Sequence, residues 1–179
     1  LETAVSDIEV VYKDVEGELV SIRYGSLNDD EPHLIVATTR VETMLGDVAI
    51  AVHPDDERYA HLVGQELPHP FRDDLSLKII ADDYVDMEYG TGCVKITPSH
   101  DPNDFAVGDR HQLGQCVVIN TDATIAEGYA PYSGLDRFTA RKRMVEDLEE
   151  QGLLDHVEDL THAVGHCERC GTVIEPLLS

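Results

Sequence analysis

The chain has 179 residues, 42% of them hydrophobic, with 36 acidic against 13 basic side chains and a formal net charge of -23. That length and apolar content support one domain with a core of its own and exclude a disordered tail. No apolar run reaches the roughly 20 residues that span a bilayer, and the opening LETAVSDIEV lacks the basic flank and apolar core of a secretory signal, so a cytoplasmic protein with no membrane partner is expected. The acids are spread along the chain (Asp29-Asp30-Glu31, Asp55-Asp56-Glu57, Asp82-Asp83, Glu149-Glu150) and not gathered into one tail. This spread suggests a folded surface adapted to high salt, as in a halophile, where screening contracts to about 3 Å at 1 M and an anionic RNA partner stays possible.

In chain order, residues 8–15 alternate like a strand, Glu16-Gly17-Glu18 reads as a turn and 19–24 as its partner, which predicts a hairpin. Residues 25–32 are loop-like, and LIVAT at 34–38 has the β-branched character of a buried strand. The chain then turns through Thr39-Arg40-Val41-Glu42-Thr43. A strand is predicted over 47–52 and a short helix over 54–63, closed by Gly64. Strands are predicted again over 77–81 and 93–97, separated by VDMEYGTG, whose glycines permit close backbone approach. A helix over 102–113 ends at Gly114, and a strand covers 116–120. The longest amphipathic helix, 137–151, places Phe138, Met144, Val145 and Leu148 on or near one face. Strands outnumber helices and rarely alternate with them, which predicts a mixed α/β, β-rich domain: a closed or nearly closed β-barrel with peripheral helices.

The stretch KITPSHDPND, residues 95–104, holds two carboxylates three positions apart. Asp101-Pro102 reads as helix cap and first turn, and Asp104 falls where the helix dipole favours an acid, so capping alone accounts for both. The same spacing also presents both carboxylates on one face at a loop mouth. A metal-dependent phosphohydrolase would use His100-Asp101, Asp104 and His111 as ligands. Cys93 and Cys116 sit in apolar runs and read as buried thiols. Cys167 and Cys170, in HCERCG, have zinc-knuckle spacing but supply two ligands where a structural zinc takes four; His162 and His166 are candidates to fill in.

Four blocks carry a family resemblance: ATTRVETMLGD (37–47), AVHPDDERY (51–59), IIADDYVDMEYGTGCVKITPSHDPNDF (79–105) and VGHCERCGTVIEPLLS (164–179). In this order they resemble the editing domain inserted into valyl-tRNA synthetases. Isoleucyl and leucyl editing domains share the threonine-rich turn and the GTG block but depart from KITPSHDPND. Val41 stands where the family usually has proline.

The resemblance implies that 1–179 form a single editing domain of a larger synthetase, with 162–179 holding half a zinc knuckle and the return towards the synthetic domain. It implies no cofactor for editing, a possible zinc in the full-length parent, and the 3′ end of tRNA(Val) and the rest of the synthetase as partners. The implied reaction is hydrolysis of mischarged Thr-tRNA(Val). Asp104 matches the family's anchor for the substrate ammonium and Asp101 the residue that meets the threonine hydroxyl. Thr38, Thr39, Arg40 and Thr43 match the threonine-rich region, and Lys95 and Thr97 pocket positions on the neighbouring strand. Arg40, Lys95 and Thr43 are candidate oxyanion donors. His100 is a candidate substrate contact, and His100 and His111 are candidate proton carriers.

Overall fold

The computed structural model describes residues 4–178. Its spine is a single long strand, β1 (Val10–Gly25). β1 pairs antiparallel with β7 (Leu154–Cys167) along most of its length and, through its second half, with β2 (His33–Thr38). The predicted hairpin is therefore corrected: Glu16-Gly17-Glu18 runs straight through the ladder, with Gly17 opposite Leu160. The glycine serves close approach and not reversal, because a Cβ there would lie 2.7 Å from the His162 ring. β7 had no strand-like signature in the sequence, since its first half is exposed and acidic and lacks apolar alternation.

A second sheet has the order β4-β5-β3-β6. β3 (Ala49–Val52) lies between β5 (Ser76–Ala81), which runs parallel, and β6 (Cys93–Ile96), which runs antiparallel; β4 (Glu66–Pro68) forms the edge. All four residues of β3 are buried because both faces are covered. Ile50 and Val52 enter the main core with Val20, Ile22, Tyr24, Leu34 and Val36 of the first sheet. Ala49 and Ala51 face a smaller cluster with Ile80, Ile96 and Val107, the last from helix α1 (Pro102–Arg110). Helix α2 (Arg137–Glu150) adds Ala140, Met144 and Leu148 to the main core.

Among the described residues the expected closed barrel is not found. β2 and β6 approach each other, yet they belong to separate sheets and no ladder joins them. The 116–120 segment, read as a strand, contributes only the isolated bridge Ile119–Ile125. The expected helix over 54–63 gives way to turns and one short 3-10 turn, Ala60–Leu62. Here side chains compete with the helix ladder: His53 Nδ1 accepts from Asp55 N–H, and Asp56 Oδ1 from Arg58 N–H. Among the described residues no helix is long and apolar enough to cross a membrane.

Candidate active site

Between the two sheets opens a cleft of about 580 Å³. Of the ten residues singled out from the sequence for substrate or catalysis, nine line it: Thr38, Thr39, Arg40, Thr43, Lys95, Thr97, His100, Asp101 and Asp104; His111 does not. Three elements bring them together. β2 ends in the threonine bend and continues into a 3-10 turn, Val41–Gly46, which is locked by Thr43 N–H and Thr43 Oγ1, both donating to the Arg40 carbonyl. Val41 is fully buried, so core packing holds this turn where a proline ring would have stiffened it. β6 forms the floor and the first turn of α1 the far wall, while Tyr84 and Tyr89 border the opening.

At the helix mouth Asp101 is the N-cap. Its Oδ1 accepts from Asn103 N–H at 2.8 Å and Asp104 N–H at 3.1 Å, so capping and cleft-lining coexist in one side chain. Asp104 is 7% exposed and accepts from Thr97 N–H at 2.9 Å. Burial, then the charge of Asp101, pushes its carboxyl up to about 7, against the smaller lowering pull of the Thr97 amide and Lys95. The helix dipole favours an acid at this position, but at Asp104 desolvation outweighs it.

The floor is a closed network. Lys95 Nζ donates to Thr97 Oγ1 at 2.6 Å, Thr43 Oγ1 at 2.8 Å and Asp47 Oδ1 at 2.8 Å, which uses all three of its protons. Asp47, fully buried, also accepts from Thr97 Oγ1 at 2.6 Å and, through Oδ2, from Tyr24 O–H at 2.7 Å. Burial, then the adjacent Asp47, raises the Tyr24 hydroxyl well above its ordinary pKa. Asp47 went unrecognised in the sequence, where it reads as the start of a strand. The signal was a lone carboxylate between LG and an apolar run, which must find a cation once buried.

His100 is fully buried with both ring nitrogens engaged. Nδ1 donates to the Pro176 carbonyl at 3.0 Å, and Nε2 accepts from Val118 N–H at 3.0 Å and Ile119 N–H at 3.3 Å. Burial lowers its pKa, which fits a neutral, structural ring and neither a proton carrier nor a metal ligand. His111 stands outside the cleft lining, on Asp82 at 2.8 Å. Arg40 donates through Nη1 to the His100 carbonyl at 3.1 Å and pairs through Nη2 with Glu175. Cys167 is buried and Cys170 exposed. The Cys170 thiol is held below its ordinary pKa, first by its hydrogen bond with Thr172 and then by Cys167. His166 Nδ1 donates to the Val164 carbonyl, and among the described residues no group of three or more His, Cys, Asp or Glu is placed to hold a metal. The two thiols supply two of the four ligands that a structural zinc takes.

An acidic, partly desolvated helix mouth thus faces a hydroxyl-rich bend across the intersheet cleft. Residues 53–149 match the family described as "Leucyl-tRNA synthetase, editing domain", and the chain belongs to that family of aminoacyl-tRNA synthetase editing domains. Within it, the whole chain aligns over 180 residues with valine–tRNA ligases, at 66% identity with that of Corynebacterium efficiens and 58% with that of Mycobacterium tuberculosis, covering 20% of each. The chain thus spans about a fifth of the length of these relatives. They give no support to a halophilic origin. The fold resembles the Agrobacterium radiobacter K84 agnB2 LeuRS in ternary complex with tRNA and LeuAMS (18% identity, TM-score 0.57, 92% of this chain and 24% of that one). It also resembles the GlLeuRS-CP1 structure (13% identity, TM-score 0.61, 78% of this chain and 98% of that one).

Proposed function

We propose that the cleft performs post-transfer editing, hydrolysing the ester of mischarged Thr-tRNA(Val) within a valyl-tRNA synthetase. The observation that carries this reading is the joint placement of Asp101, Asp104, the threonine bend and Lys95 around one opening. The substrate's α-ammonium sits beside Asp104, whose proton leaves as the cation arrives, because an adjacent positive charge reverses the shift that burial imposes. Asp101 spends Oδ1 on the helix cap, and its Oδ2 receives the threonine hydroxyl. Valine in this place would leave that carboxylate oxygen unpaired, at a cost of about 1–3 kcal/mol.

Water attacks the ester directly, with positioning as the main source of rate. Lys95, pinned by Asp47, and Arg40 supply fixed positive charge towards the developing oxyanion, and Thr38, Thr39, Thr43 and Thr97 shape the hydroxyl-lined wall. Editing uses no cofactor, whereas Cys167 and Cys170 contribute two thiolates to a zinc completed by ligands elsewhere in the parent. The partners are the tRNA(Val) 3′ end and the remainder of the synthetase.

The test is deacylation of Thr-tRNA(Val) and Val-tRNA(Val) by the chain. Asp104→Ala is expected to abolish hydrolysis, and Asp101→Ala to reduce the preference for threonine by about 10- to 100-fold, the equivalent of the lost polar partner. Full activity of Asp104→Ala would overturn the assignment.

A further inference from the structure

The segment that follows the Cys-x-x-Cys turn returns to the cleft and grips two of its lining residues from behind. Glu175 forms an ion pair with Arg40 and, through Oε2, accepts from Arg137 Nη1 at 2.9 Å. One residue on, the Pro176 carbonyl accepts from His100 Nδ1 at 3.0 Å, and Leu178 N–H donates to the Ser99 carbonyl at 2.9 Å. Arg137, the first residue of α2 and 4% exposed, adds a bond from Nη2 to the Val173 carbonyl at 2.9 Å. Arg40 closes the circuit by donating to the carbonyl of His100, the residue that immediately precedes the Asp101 cap. The helix mouth thus hangs on a chain of contacts that begins outside the cleft.

We infer that Glu175 is a positioning residue of the editing site: with Pro176 it forms a strap that sets Arg40 and the His100–Asp101 edge, so the cleft is complete only when residues 173–178 are docked. Side chains on flexible stems do not hold a catalytic geometry unaided, and a displacement of about 1 Å costs on the order of a hundredfold in rate. Glu175 does not line the cleft, so its action passes through Arg40. The strap also continues directly from the Cys167–Cys170 turn, whose Cys167 N–H donates to the Thr172 carbonyl. Order at the knuckle is thereby transmitted to the site where the ester is cut.

This inference rests on the deacylation reading, which the unmodified chain and Asp104→Ala test by themselves. Against that baseline, Glu175→Gln is expected to lower kcat for Thr-tRNA(Val) by about tenfold to a hundredfold with little change in KM, the signature of a misplaced catalytic edge. Combined with Arg40→Gln it is expected to add nothing to the loss from Arg40→Gln alone. Retention of full kcat, or losses that multiply, would overturn the strap. If Glu175→Gln folds poorly, Arg137→Gln removes the other anchor and is expected to lower kcat in the same way; its full activity would overturn the proposal. Independently of activity, Glu175→Gln is expected to shift the backbone amide resonances of Asp101 and Asp104 in the RNA-free chain while leaving Gly64 unmoved. Unchanged resonances would sink the strap even if hydrolysis fails for another reason, and shifted ones with an inactive unmodified chain would refute only the deacylation reading.

Discussion

Asp104 carries a cost in stability at the point where the proposed chemistry needs a carboxylate. Its carboxyl titrates near pH 7 in the folded chain and near the ordinary 3.8 when exposed. Between those values the folded state keeps a proton that the unfolded chain has lost, so stability falls as pH rises through this window and levels off above it. Asp104→Asn keeps an acceptor for Thr97 N–H and removes the buried charge. It is expected to raise the melting temperature at pH 8 while abolishing deacylation, and a lower melting temperature would contradict the desolvated-acid account. In the free site the same titration gives kcat/KM a limb that rises through about 7. Asp101→Asn preserves the cap but withdraws the second cause of the upward shift, so that limb is expected to move to lower pH in a pH–rate profile. The pair Asp101 and Asp104 was legible in the sequence because spacing, cap preference and the resemblance converged on four residues. Asp47 was not, because its partner Lys95 lies 48 positions away and only the pairing of β3 with β6 brings the two together.

At the scale of elements, the position of α1 against β6 decides where those carboxylates point. Gly108 permits the approach: a Cβ there would come within 2.9 Å of Pro98 Cγ, whereas at Gly114 it would meet nothing within 4 Å. Gly108→Ala is expected to lose about 1–3 kcal/mol in urea denaturation through overpacking and to lower deacylation as the helix tilts away, with Gly114→Ala as the neutral comparison. Both helices were legible, since caps and periodicity are local. α2 was found within a residue of its predicted end, and α1 stops earlier, at Arg110. The two halves of β1 were legible as strands but not their continuity, and β7 was not legible at all, because Gly17 in a straight strand and an acidic outer face imitate turn and loop. A single sequence shows which residues are permissive but not which distant neighbour uses the permission.

For the whole molecule, 36 acids against 13 bases must repel one another in any compact state. Many of the cations are committed to local pairs, such as Arg58 with Asp56, Arg72 with Asp74 and Arg141 with Glu42. Raising potassium chloride from about 0.1 M to about 1 M shortens the screening length from about 10 Å to about 3 Å, and the melting temperature is expected to rise as the uncompensated acids stop sensing each other. A flat or falling response would contradict net repulsion among the uncompensated acids. The closed barrel failed as an expectation for a reason at this same scale: short strands joined by long connections need not meet edge to edge, and 116–120, expected as a strand, contributes one isolated bridge.

The gap between β2 and β6 has a mechanical consequence. Because no ladder bolts those two edges together, the width of the opening is fixed by the packing of the interior beneath it. Small slippage of one layer past the other would resize the mouth of the cleft. The aperture is thus a property of the entire scaffold, and volume changes at Ile50 or Val36, neither of which lines the cleft, would retune its width.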